Sequence, residues 1–261
     1  MQYVDVKVHD GVGTILMDRA AVRNSLNPQL VEDLHTALSD LHQEKRVTAV
    51  VLTGAGEHFC AGIDLKILAE IADMPAAEAL PQWLTVWRHQ VELLGQMLRF
   101  PKPIVAAVDG AAIGSGLALA LACDLILPSI RATFSAAAVQ RGLVGGSTAA
   151  LLSFRFGGAI AARMLLGGQP IGAAEAYRLG MCLQPVAGDQ IWVAACDVAR
   201  RCGSAPREAV QATKRLLNES IGETLLTQLA AGAADSATAC TTESATEGVR
   251  AFLQRREPQW P

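Results

Sequence analysis

Apolar and polar residues alternate over residues 3–8 and again over 12–17, with His9-Asp10-Gly11 between the two runs. That pattern predicts two strands joined by a tight turn. Residues 19–27 form a polar connection. Asn27-Pro28 then reads as an N-cap followed by proline in the first turn of a helix, and Leu30, Leu34, Leu38 and Leu41 make one apolar stripe through about residue 43. A valine-rich run over residues 48–53 predicts a short buried strand. Residues 64–99 read as helix, broken around Met74-Pro75 and resuming near Pro81. Pro101-Lys102-Pro103 ends that helix and launches a second apolar strand over residues 104–108.

Residues 110–124 open as a glycine turn and become an Ala/Leu-rich helix over 115–123. Strand-like runs at 125–127 and 133–135 precede helices at about 147–156 and 159–166. A short helix over 173–179 closes on Gly180, and a brief strand is expected over 182–186. From Asp189 onward the pattern is helix only, with breaks at Gly203-Ser204-Ala205-Pro206 and at Ile221-Gly222.

Composition narrows the function classes. Hydrophobic residues make up 51% of the 261 positions and charged residues 18%, a balance that favours extensive burial, including between subunits. The net charge is −3 and no block of like charges occurs, which argues against a nucleic-acid partner. Six cysteines lie scattered, with no Cys-x-x-Cys and no neighbouring histidine pair. Neither a metal site nor a disulfide framework is expected, and reduced thiols fit a cytoplasmic protein. The first ten residues lack the basic start and apolar centre of a signal peptide. Asp109, Ser115, Asp124 and several glycines interrupt the apolar stretch 104–127, so strand–turn–helix is expected there rather than a membrane span.

Two segments carry the candidate chemistry. Gly114 and Gly116 remove side chains where a strand turns into a helix, so unpaired amides at the helix start can face a ligand. His58-Phe59-Cys60-Ala61-Gly62-Ile63-Asp64-Leu65 repeats the arrangement about fifty residues earlier. One amide from each turn could serve the same developing oxyanion.

These two segments resemble the crotonase (enoyl-CoA hydratase/isomerase) superfamily, and the resemblance runs from Val12 to Trp260. It implies an α/β fold: a crotonase-like spiral of ββα units over residues 1–200, then a C-terminal helical trimerisation region over 201–261. A homotrimer or a dimer of trimers is expected. By motif position the backbone N–H groups of Ile63 and Ser115 become the oxyanion donors for the thioester carbonyl of an acyl-CoA substrate. Coenzyme A enters as part of that substrate, with no other cofactor. Its nucleotide is expected against the loop 21–24 and the turn Ala61-Gly62-Ile63-Asp64, with Arg23 and Lys66 as basic contacts and Phe252 reaching the adenine from a neighbouring subunit. Gly114 is expected among the other substrate-binding residues.

The hydratases of this superfamily use two glutamates as acid and base. Their positions here hold Ala118 and Ala138, which can do neither job. Residues 139–150 offer Gln140, Arg141, Ser147 and Thr148 but no carboxylate. A substitute is sought in 64–99, among Asp64, Lys66, Glu70, Asp73, Arg88, His89 and Glu92. His89 has the best intrinsic pKa, whereas Asp64 reads first as an N-cap. Trp83 and Trp87 share one helix face, suited to the core, an interface or the wall of a pocket for a bulky, flat acyl group. The first reading is an enzyme of the hydratase/isomerase class that acts on an acyl-CoA thioester through an enolate held in the oxyanion hole, with ordinary hydration not expected. Within it stand a decarboxylase of a malonyl-type acyl-CoA and an isomerase with a relocated acid or base. The alternative to it is a non-catalytic acyl-CoA-binding protein.

Overall fold

The computed structural model describes residues 1–220 and 223–261, so the break expected at Ile221-Gly222 lies outside the described residues. Strands β1 (Val4–His9) and β2 (Val12–Met17) pair antiparallel across Asp10 and Gly11, whose φ values of 46° and 77° suit a two-residue hairpin turn. Strands β3 (Ala49–Gly54), β4 (Ile104–Val108) and β6 (Leu125–Pro128) add in parallel, giving a five-stranded sheet ordered β1-β2-β3-β4-β6. Helix α1 (Pro28–Gln43) connects β2 to β3, and the Asn27 side chain caps it by accepting the Leu30 N–H at 2.9 Å. Helices α2 (Leu65–Ala72) and α3 (Ala76–Arg99) connect β3 to β4, with Met74-Pro75 between them as expected. The second helix resumes at Ala76, and Pro81 lies inside it near its start, where few backbone bonds are at stake.

Shorter strands build a second layer. β5 (Ala111–Ile113), β7 (Thr133–Ser135) and β8 (Ile171–Gly172) form a sheet ordered β5-β7-β8. Single parallel bridges extend it from Ala112 to Cys60 and from Ile63 to Leu26. Long strand, short strand and helix thus recur in β4, β5 and α4 (Ser115–Ala122), and again in β6, β7 and α5 (Gly146–Gly167). This is the spiral of ββα units that the resemblance implies. The sequence reads residues 110–114 as a turn alone. Three of them form β5 because their backbone groups pair with Cys60 and β7. Residues 182–186 hold no strand, only a bridge from Val186 to Ser129 and a bond from the Leu183 N–H to the Ile126 carbonyl.

Alternation divides the large sheet between two cores. Ile15, Val50, Leu52 and Ala106 face α1, α3 and α4, while Val12, Ala49, Val51, Val105 and Ala107 face α7 (Ile191–Gly203). Helix α5 bends at Gly157 (φ 79°, ψ 168°), so the two helices expected there are the two arms of one element. Neither arm has the roughly 20 residues that crossing a bilayer takes. Helix α6 (Ala173–Arg178) ends just before Gly180, whose φ is 72°.

The helices after residue 201 share the core rather than standing apart. Lys214, buried near the end of α8 (Arg207–Arg215), donates to Asp124 at 2.7 Å, and Asp124 also accepts the Ile104 N–H. From α9 (Glu223–Ala239), Leu225 and Leu229 enter the main core. Ala233 and Ala237 join Val249 of α10 (Glu243–Leu253) in a third cluster with α2 and α3.

The amino terminus is tied down by a single carboxylate. Buried Asp33 accepts the N–H groups of Gln2 at 2.7 Å and Tyr3 at 2.6 Å, and the Gln29 amide at 2.9 Å. Burial pushes its pKa up, but the three hydrogen bonds outweigh this and hold it below the usual value. The ionised form is therefore favoured by folding, and the stabilisation is complete above the unfolded pKa of about 3.9 and lost as pH falls through the folded value. Asp33→Asn should cost about 1–2 kcal/mol at pH 7, read as a lower melting temperature. The gap between variant and parent should close as melting is repeated from pH 5 toward pH 2.5.

Candidate active site

Successive turns of the spiral bring two backbone segments face to face. The Cys60 N–H donates to the Ala111 carbonyl and the Ile113 N–H to the Cys60 carbonyl, both at 3.0 Å. Glycine is required where the segments continue. A Cβ on Gly62 (φ 91°) would lie 2.6 Å from the Ile113 carbonyl oxygen and 3.4 Å from the Ser115 nitrogen. A Cβ on Gly116 would lie 2.2 Å from the Cys60 carbonyl oxygen. Gly114 differs, for its Cβ would meet open space and its φ of 51° is what calls for glycine.

Each turn presents one N–H whose direction is fixed from the other end of its peptide. The Gly62 carbonyl accepts the Leu26 N–H at 2.7 Å. The Gly114 carbonyl accepts the Thr148 hydroxyl at 3.0 Å, and the Gly114 N–H donates to the Ser135 carbonyl at 2.8 Å. A trans peptide points its N–H opposite to its C=O. The Ile63 N–H is therefore directed away from Leu26, and the Ser115 N–H away from Thr148. Neither has a hydrogen-bond partner among the described residues. Ser115 also opens α4, all of whose residues are buried, and a helix start adds partial positive charge.

The loop before α1 is stitched to the same place. The Arg23 carbonyl accepts the Ala61 N–H at 2.9 Å, and Arg23 and Asn24 both have φ of 54°. Fully buried Asn24 donates to the Ala55 and His58 carbonyls and accepts the Arg19 N–H. The Arg19 guanidinium pairs with Asp64 at 3.3 Å and lies over the Tyr3 ring. Asp64 also caps α2 by accepting the Lys66 N–H at 3.3 Å, so its carboxylate is already engaged. The side chains of Arg23 and Lys66 are exposed beside this turn. Sequence reasoning missed Arg19, which lies in a polar run with no periodicity, and weighed Thr148 only as something other than a carboxylate.

Ala118 is fully buried in α4. Ala138 sits half-buried in a single 3-10 turn, Ala137–Arg141, and packs with Ile63 on the cluster containing Trp83, Trp87, Leu68, Leu143 and Cys240. The tryptophans are thus buried in the cluster against which Ile63 and Ala138 pack. Among the candidates of residues 64–99, Lys66, Glu70, Asp73, Arg88, His89 and Glu92 are all exposed. Asp73 pairs with Arg250 at 3.2 Å and Arg88 with Glu92 at 3.8 Å. His89 lies off the buried stripe of Trp83, Trp87 and Gln90, so the structure does not bring it to the turns. Phe252, half exposed on α10, stacks under Arg141 of its own chain at 4.8 Å.

The family model for enoyl-CoA hydratase/isomerase matches residues 7–261. The chain belongs to this family. A putative enoyl-CoA hydratase of Thermus thermophilus is 32% identical over 256 residues, which cover 98% of this chain and all of its own. The 1,2-epoxyphenylacetyl-CoA isomerase of Escherichia coli is 31% identical over 263 residues, covering 100% of this chain and 98% of its own. The crystal structure of an enoyl-CoA hydratase from Mycobacterium avium subsp. paratuberculosis superposes with a TM-score of 0.86 at 27% identity, covering 99% of this chain and 98% of that one. As a member of the family, the chain has the crotonase fold, and its two glycine turns lie on adjacent passes of the spiral.

Gly116→Ala tests that close approach. The added methyl would sit 2.2 Å from the Cys60 carbonyl, backbone against backbone, so the turns must part. Such overpacking should cost about 1–3 kcal/mol in urea unfolding. Gly114→Ala, which meets no atom, should lose stability through its backbone angles alone (φ 51°, ψ −115°), by about 1–3 kcal/mol.

Proposed function

We propose that this family member acts on an acyl-CoA thioester whose carbonyl oxygen lies between the N–H groups of Ile63 and Ser115, in a reaction that generates the enolate without a protein base. Loss of CO₂ from a malonyl-type thioester fits best. The bond from Cα to the carboxylate breaks, its electron pair enters the enolate, CO₂ leaves, and a solvent proton then adds to Cα. The observation that carries this reading is the pairing of two unpartnered, pinned amides with alanine at both glutamate positions, 118 and 138. Two such donors stabilise an enolate oxygen by several kcal/mol, roughly 10²–10³ in rate for each. Glutamates at 118 and 138 would repel the departing carboxylate, whereas an apolar lining raises the ionised acid in energy and favours its loss.

Isomerisation is the second reading, favoured by the 31% identity to a relative named 1,2-epoxyphenylacetyl-CoA isomerase over the whole chain. It needs an acid or base, and the candidates in α2 and α3 are exposed or engaged, which weighs against it.

Mass spectrometry of purified protein against a panel of crotonyl, longer 2-enoyl, 3-enoyl, dienoyl and methylmalonyl thioesters separates the readings. Loss of CO₂ from the methylmalonyl thioester is expected. Water gain on an enoyl thioester at the rate of a good hydratase would overturn the proposal. A shifted double bond, seen by chromatography of the same samples, would move it to isomerisation. Ser115→Pro deletes one donor at a first helical position that tolerates proline, and should lower kcat about 10²–10³-fold. CoA binding without turnover on any thioester would leave a binding protein.

A further inference from the structure

Helix α3 buries a polar stripe. Trp83, Trp87 and Gln90 are spaced four and three residues apart, which puts them on one helix face, and their exposures are 6%, 5% and 1%. The indole N–H groups of both tryptophans and both ends of the Gln90 amide have no hydrogen-bond partner among the described residues. The Trp87 N–H is set against the Cys240 sulfur, a weak acceptor on a thiol that burial pushes up to about 11. Buried polar atoms are costly when unpaired, and four of them on one stripe point to a group that is matched only when something else is present.

The surroundings say where that group comes from. Trp83 and Trp87 belong to the apolar cluster of α2, α9 and α10 against which Ile63 and Ala138 pack. A small cavity in this cluster is lined by Trp83 with Leu68, Leu143 and Cys240 and by Thr246 and Arg250 of α10, and Trp87 and Gln90 do not border it. The stripe's two tryptophans therefore share their apolar surroundings with Ile63, one of the two proposed donors.

We infer that Trp83, Trp87 and Gln90 select an acyl group bearing an oxygen away from the thioester, a hydroxyl, carbonyl or ring oxygen, rather than a plain hydrocarbon chain. The tryptophans can only donate, so they require an acceptor. Gln90 can donate or accept and so completes either kind of oxygen. Sites built to pair a buried polar group discriminate strongly against analogues that lack it, because their own groups are then left unpaired. The inference rests on the acyl-CoA reading above.

The test is calorimetric titration of the full chain with matched pairs: phenylacetyl-CoA against its 2-, 3- and 4-hydroxy forms, and hexanoyl-CoA against its 4-, 5- and 6-hydroxy forms. At least one oxygenated member should bind tenfold or more tightly than its plain counterpart. In Trp83→Phe and in Gln90→Leu that ratio should fall toward one. Gln90→Leu should also raise the melting temperature of the ligand-free protein by about 2–4 °C, because it removes unpaired polar atoms at nearly constant volume. A lower melting temperature would mean that Gln90 is matched within the fold, and would overturn the inference. Equal binding of every pair would overturn it too, while leaving the acyl-CoA reading intact. Failure of the wild-type protein to bind any thioester would overturn both.

Discussion

The backbone of residues 60–62 and that of residues 113–116 approach until a single methyl group on either side would strike a carbonyl oxygen. This contact fixes the separation of two peptide planes, and the bonds from Leu26 and Thr148 to the carbonyls of Gly62 and Gly114 fix their tilt. Everything at the candidate site follows from those two constraints. The N–H groups of Ile63 and Ser115 need no side chain to be aimed, only glycines that permit the approach and partners that hold the far end of each peptide. Preorganisation of this kind lives in the fold itself, because the partners come from neighbouring passes of the spiral: Leu26 from the first, Thr148 from the last.

The C-terminal helices enter this argument as walls. Helix α9 crosses α5 where Gly232 meets Gly146 backbone to backbone, and then supplies Ala233 and Ala237 to the cluster that holds Trp83 and Trp87. Small residues along α9 let it pack closely enough to seal the apolar interior beside Ile63 and Ala138. A low-dielectric interior strengthens any electrostatic contact made within it. The same enclosure makes an unpaired amide or indole costly, which is why Gln90 and the tryptophans stand out against an otherwise apolar wall.

Periodicity exposed most of the fold. The hairpin at Asp10-Gly11, the stripe of α1, the valine strand and the proline breaks were all legible, because each is a local signal written in residue type. β5 was not, since Ala111–Ile113 becomes a strand only through partners fifty residues before and twenty after. The two glycine turns were legible as a pair, but not their reasons: Gly116 and Gly62 answer to crowding from a distant segment, and Gly114 to its own φ. Arg19, Asn24 and Thr148 were invisible as positioning residues for the same cause. Their bonds run to carbonyls and carboxylates that only the tertiary structure brings near.

Charge gives the last step. Around the two donors the nearest acidic side chain brought in by the sequence motif is Asp64, and the structure commits it to Arg19 and to the first turn of α2. With alanine at 118 and 138, the helix start at Ser115 and the two amides are left as the local electrostatic features, all of them positive in sense. An arrangement that pairs fixed donors with a neutral lining suits the proposed reaction, in which the carboxylate leaves as neutral CO₂ and its electron pair passes into the enolate held at the thioester oxygen. A site that must carry protons to and from carbon needs a titratable group facing that carbon, and α2 and α3 turn theirs outward, His89 included. On the proposed reading, the chemistry is thus constrained less by the donors, which any thioester reaction in this fold could use, than by the alanines at 118 and 138.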